Sequence, residues 1–562
     1  MRLLPRLLAV PILLILLSGC LPAQTAAHAS SHLTAAEARR WREDLHYMAD
    51  QMRKLHKNLY HSVSPERFRA AVDDLDKQIP RLSRDDVIVG FARIVALVGD
   101  GHTSFNIIFD PKVKFGYYPV GLYMFKDGLY VYAADPQYAS IVGARVTQIG
   151  NLSTDEAWNR VQALVSRDNE MGIKDHAPLL LTIPEVLHAL SIVDDPSKAR
   201  LVAERNGQEI AVELKPLPGP RPSGDNWGLG RNFRKMPEWV DAARAEQPNA
   251  ALSLWLKDPQ DYWWFEYLED SRTLYVQYNG VADKDTETVA EFAKRVFAFA
   301  DSHPVDRFVL DMRWNFGGNS YLNKPMLLGI IKSNKIDQRG KLFVVIGRRT
   351  FSAAQNLVNN LEKYTNVLFI GEPTATRPNF FADTARIVLP HSQLTVRPSA
   401  LWWQDIDPRD TRVWTGPHIA AELTSDDYKR RSDPAMRVIL GYVPQKELTE
   451  LLLEKLLQND LQGAISAYRV FKADPANAYV NTEMRINNLG YKLVRMKRLA
   501  DAIEVFKLNV ESYPQSANAY DSLGDAYMQN GDKELAIRNY QKSLELNPAN
   551  AGASDALRKL RK

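Results

Sequence analysis

The chain has 562 residues, 45% hydrophobic and 25% charged, with a formal net charge of +4 and a single cysteine. That is ordinary globular composition, which excludes collagen-like and wholly disordered chains; at about 150 residues per domain the length suggests about four units. The small basic surplus, with no basic block, argues against a nucleic-acid partner, and one cysteine excludes an intramolecular disulfide.

At the amino end, Arg2 and Arg6 flank the start of an apolar run, Leu7 to Leu17, which closes on Leu17-Ser18-Gly19-Cys20. The run is too short for a bilayer span of about 20 residues and suits a secretory signal. Leu-Ser-Gly-Cys also resembles the bacterial lipobox. That resemblance implies lipidation of Cys20, with 1–19 as the lipoprotein signal peptide and 20–33 as a polar, lipid-anchored tether. The expected location is the bacterial cell envelope, at the periplasm-facing outer membrane in preference to the inner one. Several acyl chains on one cysteine anchor a protein without a basic patch. The alternative is an ordinary signal peptide that happens to contain a cysteine.

Residues 34–104 read as a helical region, since Trp41, Leu45, Met48 and Met52 recur at spacings of three and four among charges. Residues 105–215 read as β-rich, with an Asp127-Gly128 hairpin signal between Tyr/Val-rich segments. Gly143 to Ser153, followed by a helix, resembles a PDZ-type module, in which the strand from Gly121 would hold a peptide by β-augmentation. Residues 216–262 are rich in Pro, Gly and Arg and read as an irregular linker.

From 263 to 445 strands alternate with helices: strands at 274–278, 308–312, 342–346 and 367–370, helices at 284–302 and 353–364. That alternation implies a mainly parallel sheet with right-handed crossovers. From 446 to 562 the sequence repeats. Leu489-Gly490 returns as Leu523-Gly524, Ala502-Ile503 as Ala536-Ile537, Phe506 as Tyr540 and Pro514 as Pro548. The common offset is the tetratricopeptide period. The expected fold class is therefore α/β multidomain: a helical amino-terminal region, a β-rich module, a parallel α/β core and an all-α repeat tail.

No Walker loop, His-Glu-x-x-His or Gly-x-Gly-x-x-Gly is present, and no Cys/His cluster has zinc spacing, so neither a cofactor nor a metal is expected. Three segments carry candidate chemistry. Gly99-Asp100-Gly101-His102-Thr103 presents a histidine on a tight turn, as a functional group or as a hydrogen-bonded turn residue. Asp311-Met-Arg313-Trp-Asn315-Phe-Gly317-Gly318 follows an apolar strand. Its glycines can aim N–H groups at an anion, while Asp311 and Arg313 also suit a structural ion pair. Thr350-Phe351-Ser352-Ala353-Ala354 opens a helix. Ser352 there is either an N-cap or a nucleophile, with the Ala353 N–H and the helix dipole facing an oxyanion.

Together with Gly371-Glu-Pro-Thr374, these motifs resemble the carboxyl-terminal-processing (tail-specific) serine peptidases, over about 34 to 440 and including Asp433-Pro434. In the Ser/Lys branch of that family a Gly-Glu-x-Thr-x-Gly-Lys segment supplies the base; the lysine position here is Arg377, which cannot deprotonate. The resemblance therefore points to the tricorn-like Ser/His branch, with Ser352 as nucleophile and His102 as base. It also implies an acid that orients the imidazole: Asp410 has the best spacing, with Asp407 and Asp405 behind it. The family's Pro-Asp is Pro417-His418 here, and Asp-Pro-Arg-Asp is also turn chemistry. Gly317 or Gly318 would join Ala353 in the oxyanion hole. Tyr262-Trp263-Trp264-Phe265-Tyr267 and Trp402-Trp403 suit core packing more than a substrate cleft.

The expected function is a serine-type endopeptidase of the cell envelope working through an acyl-enzyme. Its substrate is a peptide or protein, its repeats bind a protein partner, and its lipid binds the membrane. The rivals are an inactive peptide-binding scaffold that recruits partners through its repeats, and an esterase or amidase on the same core.

Overall fold

The computed structural model describes residues 32–108, 110–217, 229 and 238–560. The Cys20 and signal-peptide expectations lie outside the described residues.

The amino-terminal helices Ala35–Leu55, Pro65–Gln78 and Arg84–Ala96 open on Thr34, Ser64 and Ser83, each of which caps its helix through its side chain. The third is buried almost all round, through Val87, Ile88, Val89, Phe91, Ile94 and Val95. A helix with no polar face must be covered on every side. It is: the helices share one continuous core with an antiparallel sheet containing Val120–Phe125, Gly128–Ala134, Arg145–Ile149, Ala199–Arg205 and Gln208–Leu214. Val120–Phe125 is an edge strand, but its Met124 carbonyl is already bonded by Arg348. Part of the expected linker is ordered, since Val240–Asp241 pairs with Ala133–Ala134 and a short helix, Ala242–Glu246, follows.

In the α/β core, Thr273–Tyr278, Arg307–Asp311, Leu342–Ile346, Leu368–Gly371 and Ile419–Ala420 lie parallel in chain order, and Trp263–Leu268 runs antiparallel at one edge. Sequential order with right-handed crossovers puts the connecting helices on one face. Accordingly Val289–Ser302, Lys324–Lys332 and Ala353–Tyr364 pack on Leu274, Val276, Leu310 and Val344 of that face. Tyr275, Val309, Phe343 and Val345 face the other way, onto Ala435, Met436 and Ile439. Trp263 belongs to the core, stacked 4.4 Å from Phe292.

A buried ion cluster fastens that second face. Arg313 donates to Asp311 Oδ1 (3.0 Å) and forks onto both oxygens of Asp433 (3.1 and 2.9 Å), while the Tyr275 hydroxyl donates to Asp311 Oδ2 (2.7 Å). Asp433 in turn caps the helix Pro434–Leu440. Asp311 and Arg313 are thus structural.

The tail consists of helix pairs 448–457/461–473, 483–495/499–512 and 517–530/533–546, then Ala551–Leu560. Its period has a steric cause. A Cβ on Gly490 would lie 2.4 Å from the Phe506 ring, and one on Gly524 would lie 2.9 Å from the Tyr540 ring. In both repeats a bare backbone lets the partner helix's aromatic approach. No helix among the described residues is long and apolar enough to cross a membrane.

Arg313→Ala would strand two buried carboxylates. It should cost about 3–5 kcal/mol, read as a lower urea midpoint for the core transition; an unchanged midpoint would contradict the structural role.

Candidate active site

Ser352 lies between the strand Leu342–Ile346 and the helix Ala353–Tyr364, at the carboxyl end of the sheet. Its backbone is at φ 57°, ψ −123°, and its side chain makes no capping hydrogen bond. The N-cap role is therefore not the one this serine performs. A non-glycine residue in so sparsely populated a region costs of order 1–3 kcal/mol and persists only where its surroundings enforce it. Here the Phe351 N–H donates to the Asn315 carbonyl (3.0 Å), the Ser352 N–H to Thr376 Oγ1 (3.0 Å), and the Gln355 N–H to the Ser352 carbonyl (2.8 Å).

The glycine loop meets this turn. A Cβ on Gly317 would stand 2.7 Å from Ser352 Cβ and 2.9 Å from the Ala353 nitrogen, so only glycine fits. The two glycines are not equivalent as donors. The Gly317 N–H is committed to Asn315 Oδ1 (2.9 Å), whose amide is itself fixed on the Tyr278 carbonyl (2.9 Å). Among the described residues the Gly318 and Ala353 amides make no hydrogen bond. Gly317 thus supplies the close approach, while the Gly318 and Ala353 amides are left unpartnered.

His102 packs against the residue before the serine: its ring stacks 4.3 Å from Phe351 and 5.6 Å from Phe380. Neither ring nitrogen has a hydrogen-bond partner among the described residues. Burial lowers its pKa to about 4, against the opposing pull of Asp100 and Asp383 and of the Phe381 backbone. The imidazole is neutral and free to accept a proton, but it is bonded neither to Ser352 nor to an acid.

Asp100 holds the histidine's loop. Its Oδ1 accepts from the N–H groups of His102 (3.0 Å) and Thr103 (2.6 Å) and from the Ser399 hydroxyl (2.8 Å), and its Oδ2 meets His56 Nε2 (2.8 Å). Burial alone would raise its pKa, but His56, His61, Thr103 and Ser399 together hold the carboxyl well below the usual range. His56, His61 and Asp100 also form the one group among the described residues whose donor atoms converge closely enough for a cation. The proton count opposes that use. His56 Nδ1 accepts the Asn58 N–H (3.0 Å), so Nε2 carries the proton and is committed to Asp100.

The three candidate acids are engaged elsewhere. Asp410 is bound by Arg412 Nε (2.9 and 3.1 Å), and Arg412 also forks onto Glu362 (2.8 and 2.8 Å). Asp407 is clasped by Arg409, and Asp405 accepts from Asn356 on the serine's helix. Asp410 does line a cavity of about 520 Å³ beside the histidine's loop, along with Asp100, His61, Arg377, Phe380 and Trp402. The structure thus brings Ser352, Gly317, Gly318 and Ala353 together, sets His102 beside them, and leaves Asp410 paired with arginine.

Asp168, which the motifs do not flag, lines the same cavity. Its Oδ1 accepts the Gly101 N–H (3.0 Å), and its Oδ2 is buried with no partner among the described residues. Burial first, and Asp100 second, push its pKa up to about 7, partly offset by the Gly101 N–H and Arg377. Arg377, at the lysine position of the other branch, donates to the Asp168 carbonyl (3.2 Å).

The chain is similar to mature CPAF complexed with lactacystin, with 13% identity and a TM-score of 0.50, covering 75% of this chain and 99% of that one. The fold is shared with mature CPAF. The photosystem II D1 C-terminal processing protease aligns with 11% identity and a TM-score of 0.33, covering 70% of this chain and 94% of that one. For the tail, MamA aligns with 31% identity and a TM-score of 0.15, covering 21% of this chain and 64% of that one. The tetratricopeptide-repeat family model matches residues 517–550. A search of curated proteins returns no significant match.

Asp168 gives a signed pH prediction. The folded carboxyl keeps its proton up to about pH 7, whereas the unfolded one loses it near about 3.9. Between those values the folded state binds more protons, so stability falls as pH rises. Asp168→Asn, which still accepts from Gly101, should therefore melt progressively higher than the parent from pH 4 to pH 8. A constant difference would contradict the raised pKa.

Proposed function

We propose that the chain is a serine-type endopeptidase of the carboxyl-terminal-processing kind, in the Ser/His branch. The observation that carries this reading is Ser352 at φ 57°, ψ −123°, with Gly317 packed against it and with the amides of the next residues in each segment, Gly318 and Ala353, unpartnered. A strained serine at a strand-to-helix turn, flanked by free N–H donors, is the local geometry of a nucleophile elbow. The motif resemblance and the CPAF-like fold agree with it.

In the proposed mechanism Ser352 Oγ attacks a peptide carbonyl, His102 takes its proton, and the Gly318 and Ala353 amides hold the oxyanion. The acyl-enzyme forms as His102 returns the proton to the leaving amine, and water then releases the acyl group. Removing one oxyanion donor in such a site typically costs about 10²–10³ in rate. Lipidation at Cys20, with the enzyme held at the bacterial envelope and the repeats recruiting a protein partner, belongs to the same proposal.

Two observations favour the scaffold reading instead: His102 has no hydrogen bond to serine or acid, and Asp410 is committed to Arg412. Activity separates the two. With residues 1–20 removed, the protein should cleave members of an unstructured peptide library, and Ser352→Ala should cleave none while keeping the parent's melting temperature. Cleavage undiminished in that variant would remove Ser352 as the nucleophile; tight peptide binding with no cleavage by either protein would favour the scaffold.

The pH profile reads the base. With His102 lowered to about 4, kcat/KM should rise through about pH 4 and stay level to pH 7. A midpoint near 6.5 would mean that the working histidine is solvated.

A further inference from the structure

We infer that Thr376 is a positioning residue that locks the strained Ser352 turn through the serine's own amide. This deepens the nucleophile reading of Ser352 and rests on it for its kinetic consequence, though not for its structural one. The Ser352 N–H donates to Thr376 Oγ1 at 3.0 Å, and Thr376 is fully buried. A buried N–H with no acceptor is unfavourable, so the hydroxyl stabilises the one backbone state in which this amide faces it.

Thr376 is itself held at several points. Its carbonyl accepts from Thr374 Oγ1 (3.0 Å), and Thr374 Oγ1 accepts from the Thr415 N–H (3.0 Å). The Ala375 N–H donates to the Thr350 carbonyl (3.1 Å), while Thr350 Oγ1 donates to the Met312 carbonyl (2.9 Å) at the end of a central strand. The acceptor for Ser352 is therefore tied through Ala375 to Thr350, two residues before the serine, and through Thr374 to Thr415.

In the Gly-Glu-x-Thr-x-Gly-Lys pattern Thr376 stands at the glycine and Arg377 at the lysine. A glycine there has no side chain to offer. The segment that delivers a base in the other branch here delivers a hydroxyl to the serine's backbone, and Arg377 turns to Asp168. The bond also withdraws the Ser352 N–H from any part in the oxyanion hole, leaving that to Gly318 and Ala353.

Three variants test this in the full-length protein: Thr376→Val, which keeps the shape and loses the acceptor, Thr376→Ser, which keeps the acceptor, and Thr376→Ala in case valine does not fold. The first readout is amide hydrogen exchange at Ser352, which needs no activity. Exchange should quicken roughly tenfold or more in the Val or Ala variant and stay near the parent's in Ser. The second is peptide hydrolysis: kcat should fall by at least tenfold, toward the ~10²-fold that a 1 Å misplacement can cost, with KM little changed and Ser restoring most of the rate. Unchanged exchange in Val and Ala overturns the proposal. So does quickened exchange with an unchanged kcat, or a Ser variant as impaired as Val. If the parent itself proves inactive, the peptidase reading fails while the exchange arm alone still decides whether Thr376 locks the turn.

Discussion

A serine held at φ 57°, ψ −123° needs walls, and most of this molecule's detail near residue 352 consists of them. Asn315 supplies one through its carbonyl, Thr376 another through its hydroxyl, and Gly317 a third through the absence of a Cβ. The sheet makes these walls rigid. Leu342–Ile346 leads into the serine turn and the adjacent Arg307–Asp311 leads into the glycine loop, so a register shift between these strands would separate the two. The Asp311–Arg313–Asp433 cluster anchors the second of these strands to the helix behind it.

The histidine is held by different means. His102 belongs to a loop organised by Asp100, whose oxygens take both backbone and side-chain donors, and its imidazole lies between two phenylalanine rings. Aromatic walls exclude water and keep the ring neutral, which suits a base, but they give it no directional bond. Serine and histidine are thus set by different contacts that meet at Phe351: the sheet fixes the serine turn, while Asp100, bonded to both His56 and Ser399, fixes the histidine's loop. In the proposed peptidase the Ser352–His102 contact would form on substrate binding, since catalytic hydrogen bonds often tighten only in the bound complex.

Much of this was legible in the sequence because the signals were local. The period of the tail follows from Gly490 and Gly524 admitting Phe506 and Tyr540, and the strands at 308–312 and 342–346 are apolar on both faces. Ser352 was ambiguous for a physical reason: a cap and a nucleophile both place serine directly before a helix, and only the backbone angles separate them. Asp410 looked like a triad acid because spacing does not show which of several nearby arginines an aspartate will meet, and Arg412, two residues on, claims it. Asp168 carries no motif, so its orphaned oxygen emerges only from packing. Thr376 did leave a trace, a hydroxyl residue where the related pattern has glycine, but its partner is a backbone N–H 24 residues away.

The central claim is that the enforced turn makes Ser352 a prepared nucleophile. The direct measurement is mass mapping after exposure of the native protein to a fluorophosphonate. A single adduct on the peptide containing Ser352, absent after denaturation before exposure, is the predicted result. No adduct, or an adduct on another serine with Ser352 unmodified, would contradict it.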